Sequence, residues 1–572
     1  MRGTRRASRS RAALIAAMCF VLGLTACSSI PTSGPVGTLK AEDGRANADT
    51  PNYNVHGPSG NENPQAIVSG FLEAGLDSED NYSVAREYLT TDLAQTWDAT
   101  AGVLVTNGET TFADADGAQD SPNQRVTLAV ERQIDANGIR TDEQRETSLN
   151  FSLDEVDGQW RISDAPDGLV LDRANFSNIV APVTLWFYAD SDYTALVPDV
   201  RWMVRRQGRV ASVVSALMSG PAPYLRGAVT SAFPNGARLS RTSVPVEDGT
   251  ATVDVPSSVV AAASEAQRGR MLQQLDSTLE QEEGVKDVDL TVNQSSVAPE
   301  SMPNDVPVGE TDGELVGVAD DQLIRFKDGE VEQIKGADGL DQGLSGATMA
   351  PGQDAYAVLS SHRSSLQVLD SGGTVRTLVK GKQLADPSYD ARSWVWTSSA
   401  DQPGKLQVSK ASGKERVELE PDWLAGDRVT GVRVSADGSR LALVVEREED
   451  GKSNLYLLVA GIQRDDDGRP TGLAAPLDLG VTEADATEVV WEDEKSVVVY
   501  RADPEDRIQP QTSGLDLQHE LWPPMLRLAA LTATPGASRP AIAVNAAGTV
   551  YQRDDRNWRE IGKGVQELSY RG

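Results

Sequence analysis

The chain opens with an apolar run, Ala12 to Thr25, set between a basic start and a long polar stretch. From Ser28 to about Asn63 the sequence is rich in Gly, Pro and polar residues and lacks periodicity, the pattern of a flexible tether. Periodicity begins at "NPQAIVSGFLEAGL", which puts Ile67, Phe71, Ala74 and Gly75 on one helical face, with Asn63 as cap and Pro64 at the first helical position. "DNYSVAREYLTTDLAQTW" is expected to continue as helix, carrying Val84, Tyr88, Leu89 and Trp97. The period then drops to two. Val126, Leu128 and Val130 alternate, as do Leu149, Phe151 and Leu153, and an Asp157-Gly158 turn leads to Trp160 and Ile162. Helices followed by a curved antiparallel sheet predict an α+β domain over 62–178.

A second α+β unit is expected over 179–293. "APVTLWFYAD" reads as a strand with Val183, Leu185 and Phe187 on one side. "GRVASVVSALMSGP" places Val210, Val213, Val214, Leu217 and Met218 on one helical face and stops at Gly220-Pro221. "SVPVEDGTATVDVP" predicts two strands about Asp248-Gly249. A helix with Met271, Leu275 and Leu279 in line and the strand "KDVDLTVN" complete the unit. Residues 294–312 form a Pro- and Ser-rich linker. Beyond it, over 313–572, short β-rich runs recur with centres near Val316, Ala355, Val395, Ala442, Val497 and Ala541, 39 to 55 residues apart. The unit "strand, SxDGxxxA, strand, turn, strand" is clearest from Ser435 to Ala442 and echoed from Ala350 to Ala357. This spacing predicts a β-propeller of about six blades, with "VQELSYRG" closing the ring against the first blade; an irregular pair of β-sandwiches is the alternative.

Chemistry changes the reading of the first apolar run. Arg2, Arg5, Arg6, Arg9 and Arg11 precede it, and a stretch of 14 residues is a secretory core, too short for a permanent span of roughly 20. Leu24-Thr25-Ala26-Cys27 has the form of a bacterial lipobox: a branched residue, two small ones, then a thiol that can take a diacylglycerol thioether. Residues 1–26 are therefore expected to be a lipoprotein signal peptide, cut between Ala26 and Cys27, with S-diacylglycerol and N-acyl groups on Cys27 and a lipidated tether over 27–61. Of the two cysteines, Cys19 leaves with the signal and Cys27 carries lipid, so no intrachain disulfide is expected. Loss of the five arginines takes the formal charge from −32 to −37. Such a chain is repelled by phosphate backbones and anionic headgroups, which argues against a nucleic-acid partner and leaves membrane attachment to the acyl chains.

Several strings together resemble the LpqB family of actinobacterial lipoproteins. They are the lipobox running into "SSIPTSGPV", then "LWFYAD", "LVPDVR", "ALMSGP", "FPNGARL", "VEDGTATVDV" and "LDSTLEQEEGVKDV", then the propeller repeats. The resemblance implies an NTF2-like, cone-shaped first domain, a GerMN middle domain and a C-terminal propeller. It also implies a lipid-anchored accessory of an MtrAB-type two-component system at the outer face of the cytoplasmic membrane. There it would bind the extracytoplasmic region of the sensor histidine kinase and affect envelope homeostasis and division.

Catalytic signals are sparse. His56, His362 and His519 are the three histidines, and no HExxH, CxxC, GxSxG or phosphate loop occurs, so no catalytic, metal or cofactor residue is assigned. Carboxylate-only hydrolysis remains formally open among 85 acids, but no pair stands out. "RDDDGRP", Arg464 to Pro470, lacks the alternate ligands and distal Glu of a calcium loop and reads as a turn between strands, as does Asp437-Gly438. Trp394 and Trp396 share one side of a strand and read as core. Trp522, Pro523 and Pro524 look exposed and are a candidate interface loop. The leading expectation is a non-enzymatic interaction protein; the alternative is a ligand-binding envelope lipoprotein that captures a cell-wall fragment or peptide.

Overall fold

The computed structural model describes residues 55–115, 121–189, 195–300, 302–304, 314–351, 355–481, 486–533 and 540–570. All of them belong to one compact unit, 52–572; residues 1–51 form a separate unit, none of which is described. The signal peptide and most of the tether, with Ala26 and Cys27, therefore lie outside the described residues.

The first helix, Pro64–Ala74, starts as expected. Asn63 Oδ1 accepts the Ala66 N–H at 2.9 Å, and Ile67, Val68, Phe71 and Ala74 are buried. The expected continuation as one helix to Trp97 is broken into Glu79–Asn81, Ser83–Glu87 and Thr91–Thr96. The cause is local. Asp80, Asn81 and Tyr82 take positive φ, and the chain is then drawn to the sheet, where Ile162 donates to the Tyr88 carbonyl (2.9 Å) and accepts from Thr90 N–H (2.8 Å). The apolar side chains still reach the core: Tyr82 and Trp97 meet edge-to-face at 6.0 Å.

The sheet of this domain runs Gln159–Asp164, Arg140–Val156, Asn123–Asp135, Gly102–Thr106 and Leu169–Asp172, with the last pair parallel. Val126, Leu128 and Val130 point into the core, and the Asp157-Gly158 turn, with φ of 51° and 76°, closes the expected hairpin. Strand Arg140–Val156 begins earlier than its hydrophobic alternation, because the polar, largely exposed stretch 140–148 is held by its ladder to Asn123–Asp135 rather than by burial. Order is present before residue 62: the His56 carbonyl accepts the Tyr88 hydroxyl at 2.9 Å.

In the middle domain Val180–Tyr188 pairs with Leu196–Val204, a strand without an alternating signature. Helices Arg209–Met218 and Glu265–Leu279 pack on this ribbon and on Thr250–Asp254, which runs parallel to Asp287–Val292. Ser264 Oγ caps the second helix by accepting the Gln267 N–H at 3.1 Å. The stretch read as linker begins in the fold: Ser295–Ser296 adds a short strand, and the Val297 carbonyl accepts from Arg268 Nε at 3.1 Å.

Among the described residues of the C-terminal region six antiparallel sheets have four-strand paths; the first is led by Glu567–Tyr570 and the others, in chain order, by Ser345–Met349, Ser388–Tyr389, Arg428–Val434, Glu488–Trp491 and Leu528–Thr532. The first sheet is completed from the far end of the chain, Glu567–Tyr570 pairing with Leu315–Ala319, as "VQELSYRG" led one to expect. Each sheet contains or adjoins one predicted centre from Val316 to Ala541. Apolar clusters fill the gaps between consecutive sheets, and another joins the sixth to the first through Ile542, Val544, Leu315 and Phe326. This is propeller packing, and it contradicts the alternative of two sandwiches, in which sheets face one another in pairs.

Candidate functional site

The residues singled out in the sequence do not converge. His56 and His362 are exposed and far apart in the chain, and His519 Nδ1 lies 3.0 Å from Ser513 Oγ on an outer strand. "RDDDGRP" is a turn: Asp465 Oδ1 accepts from Asp467 and Arg469 N–H, and Gly468 takes positive φ. Among the described residues no group of His, Cys, Asp or Glu is arranged to hold a metal ion. Trp394 and Trp396 are buried between the third and fourth sheets. Trp522, expected to be exposed, is only 1% exposed: its indole donates to Thr512 Oγ1 at 2.6 Å and Arg553 stacks on its ring at 3.8 Å. Burying the large ring outweighed the loop-like Pro-Pro context; the exposed apolar side chains are its neighbours Leu521 and Leu526.

Two charged constellations stand out instead. The first lies where the three domains meet. Asp199 and Arg201, two apart on strand Leu196–Val204, are both fully buried and bonded twice, at 3.0 and 2.7 Å. Arg201 also donates to the Asn137 carbonyl of the first domain (2.9 Å) and to the Gly220 carbonyl (3.0 Å), while Asp199 accepts the Ala222 N–H (2.8 Å). Burial opposes the guanidinium charge, and Asp199 more than offsets it, holding Arg201 protonated. Beside this pair, Trp202 N–H donates to the Gly138 carbonyl at 2.7 Å. On the other side Ala222, Tyr224 and Leu225 share one apolar cluster with Val444, Val459, Val489 and Val497 of the fourth and fifth sheets. Gly461 is required there, since a Cβ would lie 2.6 Å from Ala228 Cβ and 2.8 Å from the Tyr224 carbonyl. A cavity of about 440 Å³ opens at the same junction.

The second constellation joins Arg433, Glu488 and Glu567, on leading strands of the propeller, to Arg363 in the turn Ser361–Arg363 and Asp386 in the loop before Ser388–Tyr389. Arg363 donates to Asp386 Oδ1 at 2.6 Å and to the Leu384 carbonyl at 2.7 Å. Glu567 Oε1 accepts the Ala347 N–H at 3.0 Å. Burial, with the charge of Asp386 added, pushes the carboxyl of Glu488 up to about 8 and that of Glu567 up to about 7; Arg363 opposes both, and Arg433 also opposes the rise at Glu488. Both carboxyls are thereby shifted toward the protonated form, Glu488 further than Glu567.

Sequence reading missed both groups. A usable signal was present: charged residues at inward positions of apolar strands, as in "LVPDVRWMV" and "TEVVW".

Three family models match the chain: "Lipoprotein LpqB, N-terminal domain" over 57–177, "Sporulation and spore germination" over 184–298, and "Lipoprotein LpqB beta-propeller domain" over 321–568. The chain is 28% identical over 496 residues to the Lipoprotein LpqB of Bifidobacterium longum, covering 82% of each. It is 28% identical over 544 residues to that of Streptomyces coelicolor, covering 86% of this chain and 87% of that one. With that of Nocardia farcinica it shares 26% over 596 residues, covering 93% and 92%.

Proposed function

The chain belongs to the LpqB family of lipoproteins, and on that premise we propose that it is a non-enzymatic, lipid-anchored accessory protein of the cell envelope. Cys27 carries the lipid after cleavage at Ala26-Cys27 and holds the protein on the extracytoplasmic face of the membrane. The folded part binds the extracytoplasmic region of an MtrAB-type sensor histidine kinase and biases its signalling state. The observation that carries this reading is the lipobox Leu24 to Cys27 placed ahead of the three modules that the family models match. Among the described residues no helix is long and apolar enough to cross a membrane, which leaves attachment to the lipid in this reading. The mechanism is differential affinity: the kinase equilibrium shifts only by the difference in binding free energy between its two states.

In the same reading the domains run 62–178, 179–293 and 313–572, with 294–312 between the last two. The first is an NTF2-like cone, and the six sheets are six blades of one ring closed by Glu567–Tyr570. Cross-linking in intact cells followed by mass spectrometry tests the partner. Capture of a histidine-kinase ectodomain at one of the three domains is the expected result. Recovery of only glycan-processing or transport proteins would overturn the signalling reading.

A further inference from the structure

The cavity at the junction has a built, two-part lining. Its buried wall is apolar and aromatic, with Trp202 and Tyr224 from the middle domain and Leu479 and Leu515 from the propeller; its exposed rim carries Asp142 and Asp478. At about 440 Å³ it falls in the size range of small-molecule sites, roughly 300–1,000 Å³.

The charges around it are unequally satisfied. Arg201 is committed to Asp199 and to two carbonyls. Asp142 is held by Arg140 through both oxygens, at 2.7 and 2.6 Å, and by Arg132 at 3.1 Å; Arg140 itself lies over the Trp202 ring. Among the described residues no cation is bonded to Asp478 in the way Arg140 and Arg132 are bonded to Asp142. Asp478 Oδ1 accepts the Gly480 N–H at 2.8 Å, and the arginine whose charge reaches it, Arg447, is bonded to Asp427. Partial enclosure at the cavity mouth raises the carboxyl of Asp478, the Gly480 N–H and Arg447 oppose the rise and Asp142 adds to it, so its surroundings disfavour the ionised form that a cation would restore.

We propose that this junction cavity binds a small amphipathic amine, its apolar body against Trp202, Tyr224, Leu479 and Leu515 and its ammonium group on Asp478. The wall supplies burial without orientation, and the single uncompensated carboxylate supplies orientation and charge selection. Because the first domain, the middle domain and the propeller all line the cavity, an occupant touches all three and stabilises their association. The inference does not depend on the kinase-partner reading.

The test uses the full chain with Cys27→Ala, soluble for titration, and three probes of one shape: 2-phenylethylamine, 2-phenylethanol and phenylacetate. A probe of about nine heavy atoms at ordinary ligand efficiency binds in the millimolar range. The amine is expected to bind at least about tenfold tighter than the alcohol, about 1.4 kcal/mol, and the acid more weakly than either. Asp478→Asn, a rim substitution, should erase the preference for the amine while leaving alcohol binding intact. Contacts from Trp202 and Tyr224 ring protons to the bound amine, read by nuclear Overhauser effects, locate the site independently of any variant. Equal binding of amine and alcohol, a preference that survives Asp478→Asn, or no saturable binding at about 10 mM amine would overturn the proposal.

Discussion

Arg201 and Asp199 show how much a single pair can decide in this fold. Both are removed from water, and the guanidinium is engaged by carboxylate and carbonyl oxygens together. Such a pair contributes little relative to apolar residues of the same size, but breaking it strands one charge inside. Arg201→Met should therefore destabilise the chain by about 3–5 kcal/mol in denaturant titration, and Asp199→Leu with Arg201→Met together should cost much less than either alone. A loss below about 1 kcal/mol for the single variant would mean that Asp199 finds another cation or takes a proton. Glu488 and Glu567 give a second residue-scale expectation, in pH. Their folded carboxyls titrate near about 8 and about 7, against 4.5 for the free side chain. Between those limits the unfolded chain binds fewer protons than the folded one, so the contribution of these two groups to stability is fully present below about 4.5, falls as pH rises, and is lost above about 8. Glu488→Gln removes a titrating group and should flatten the fall; an unchanged slope in melts across this range would refute the assignment.

Among the elements, those with strong periodicity could be read directly. Helix Arg209–Met218, the Asp157-Gly158 hairpin and the six β-rich centres all form, because burial of one face and turn chemistry agree there. Those set by distant partners could not. The segment 79–97 has helical composition, yet it is bent to bond with Ile162, more than sixty residues away in the chain. Strand Leu196–Val204 mixes Pro198, Asp199 and Arg201 into an apolar run because both of its faces are covered, one by its own domain and one by neighbours. The charged groups of the junction and the propeller were illegible for the same reason. Their partners come from separate sheets and domains, which spacing along the chain does not encode. The closing strand Glu567–Tyr570 was legible, and it carries a consequence. It supplies four backbone pairings to Leu315–Val318, while Leu568 and Tyr570 fill the gap to the sixth sheet. Removing residues 567–572 exposes an apolar edge strand, and the expected outcome is loss of the cooperative melt together with aggregation. A truncated chain that melts as sharply as the intact one would show that the propeller does not need this closure.

At the scale of the molecule, the acyl anchor and the joined domains make separate claims. Cys27→Ala should abolish lipid labelling and release the protein from membranes; retention with unchanged labelling would sink the anchor assignment. The folded part, by contrast, is expected to behave as one body. Arg201, held by Asp199 of its own strand, ties the first domain to the second through the Asn137 carbonyl, and a shared apolar cluster ties the second to the propeller. Gly461 tests that union at its tightest point, where backbone and Ala228 leave no room for a side chain. Gly461→Val should force the middle domain off the fourth sheet without disturbing the cores within either. Calorimetry should then resolve separate transitions for the propeller and the remaining domains where the parent shows one, and small-angle scattering should report a larger radius of gyration. If the variant keeps a single transition and its dimensions, the junction absorbs the side chain and Gly461 is not where the union of the domains is decided. If the transitions separate, an amine held at the junction and any partner whose affinity depends on the association of the domains are linked through the same interface. Each must then change the affinity for the other by the same factor, because coupling between two binding equilibria is reciprocal.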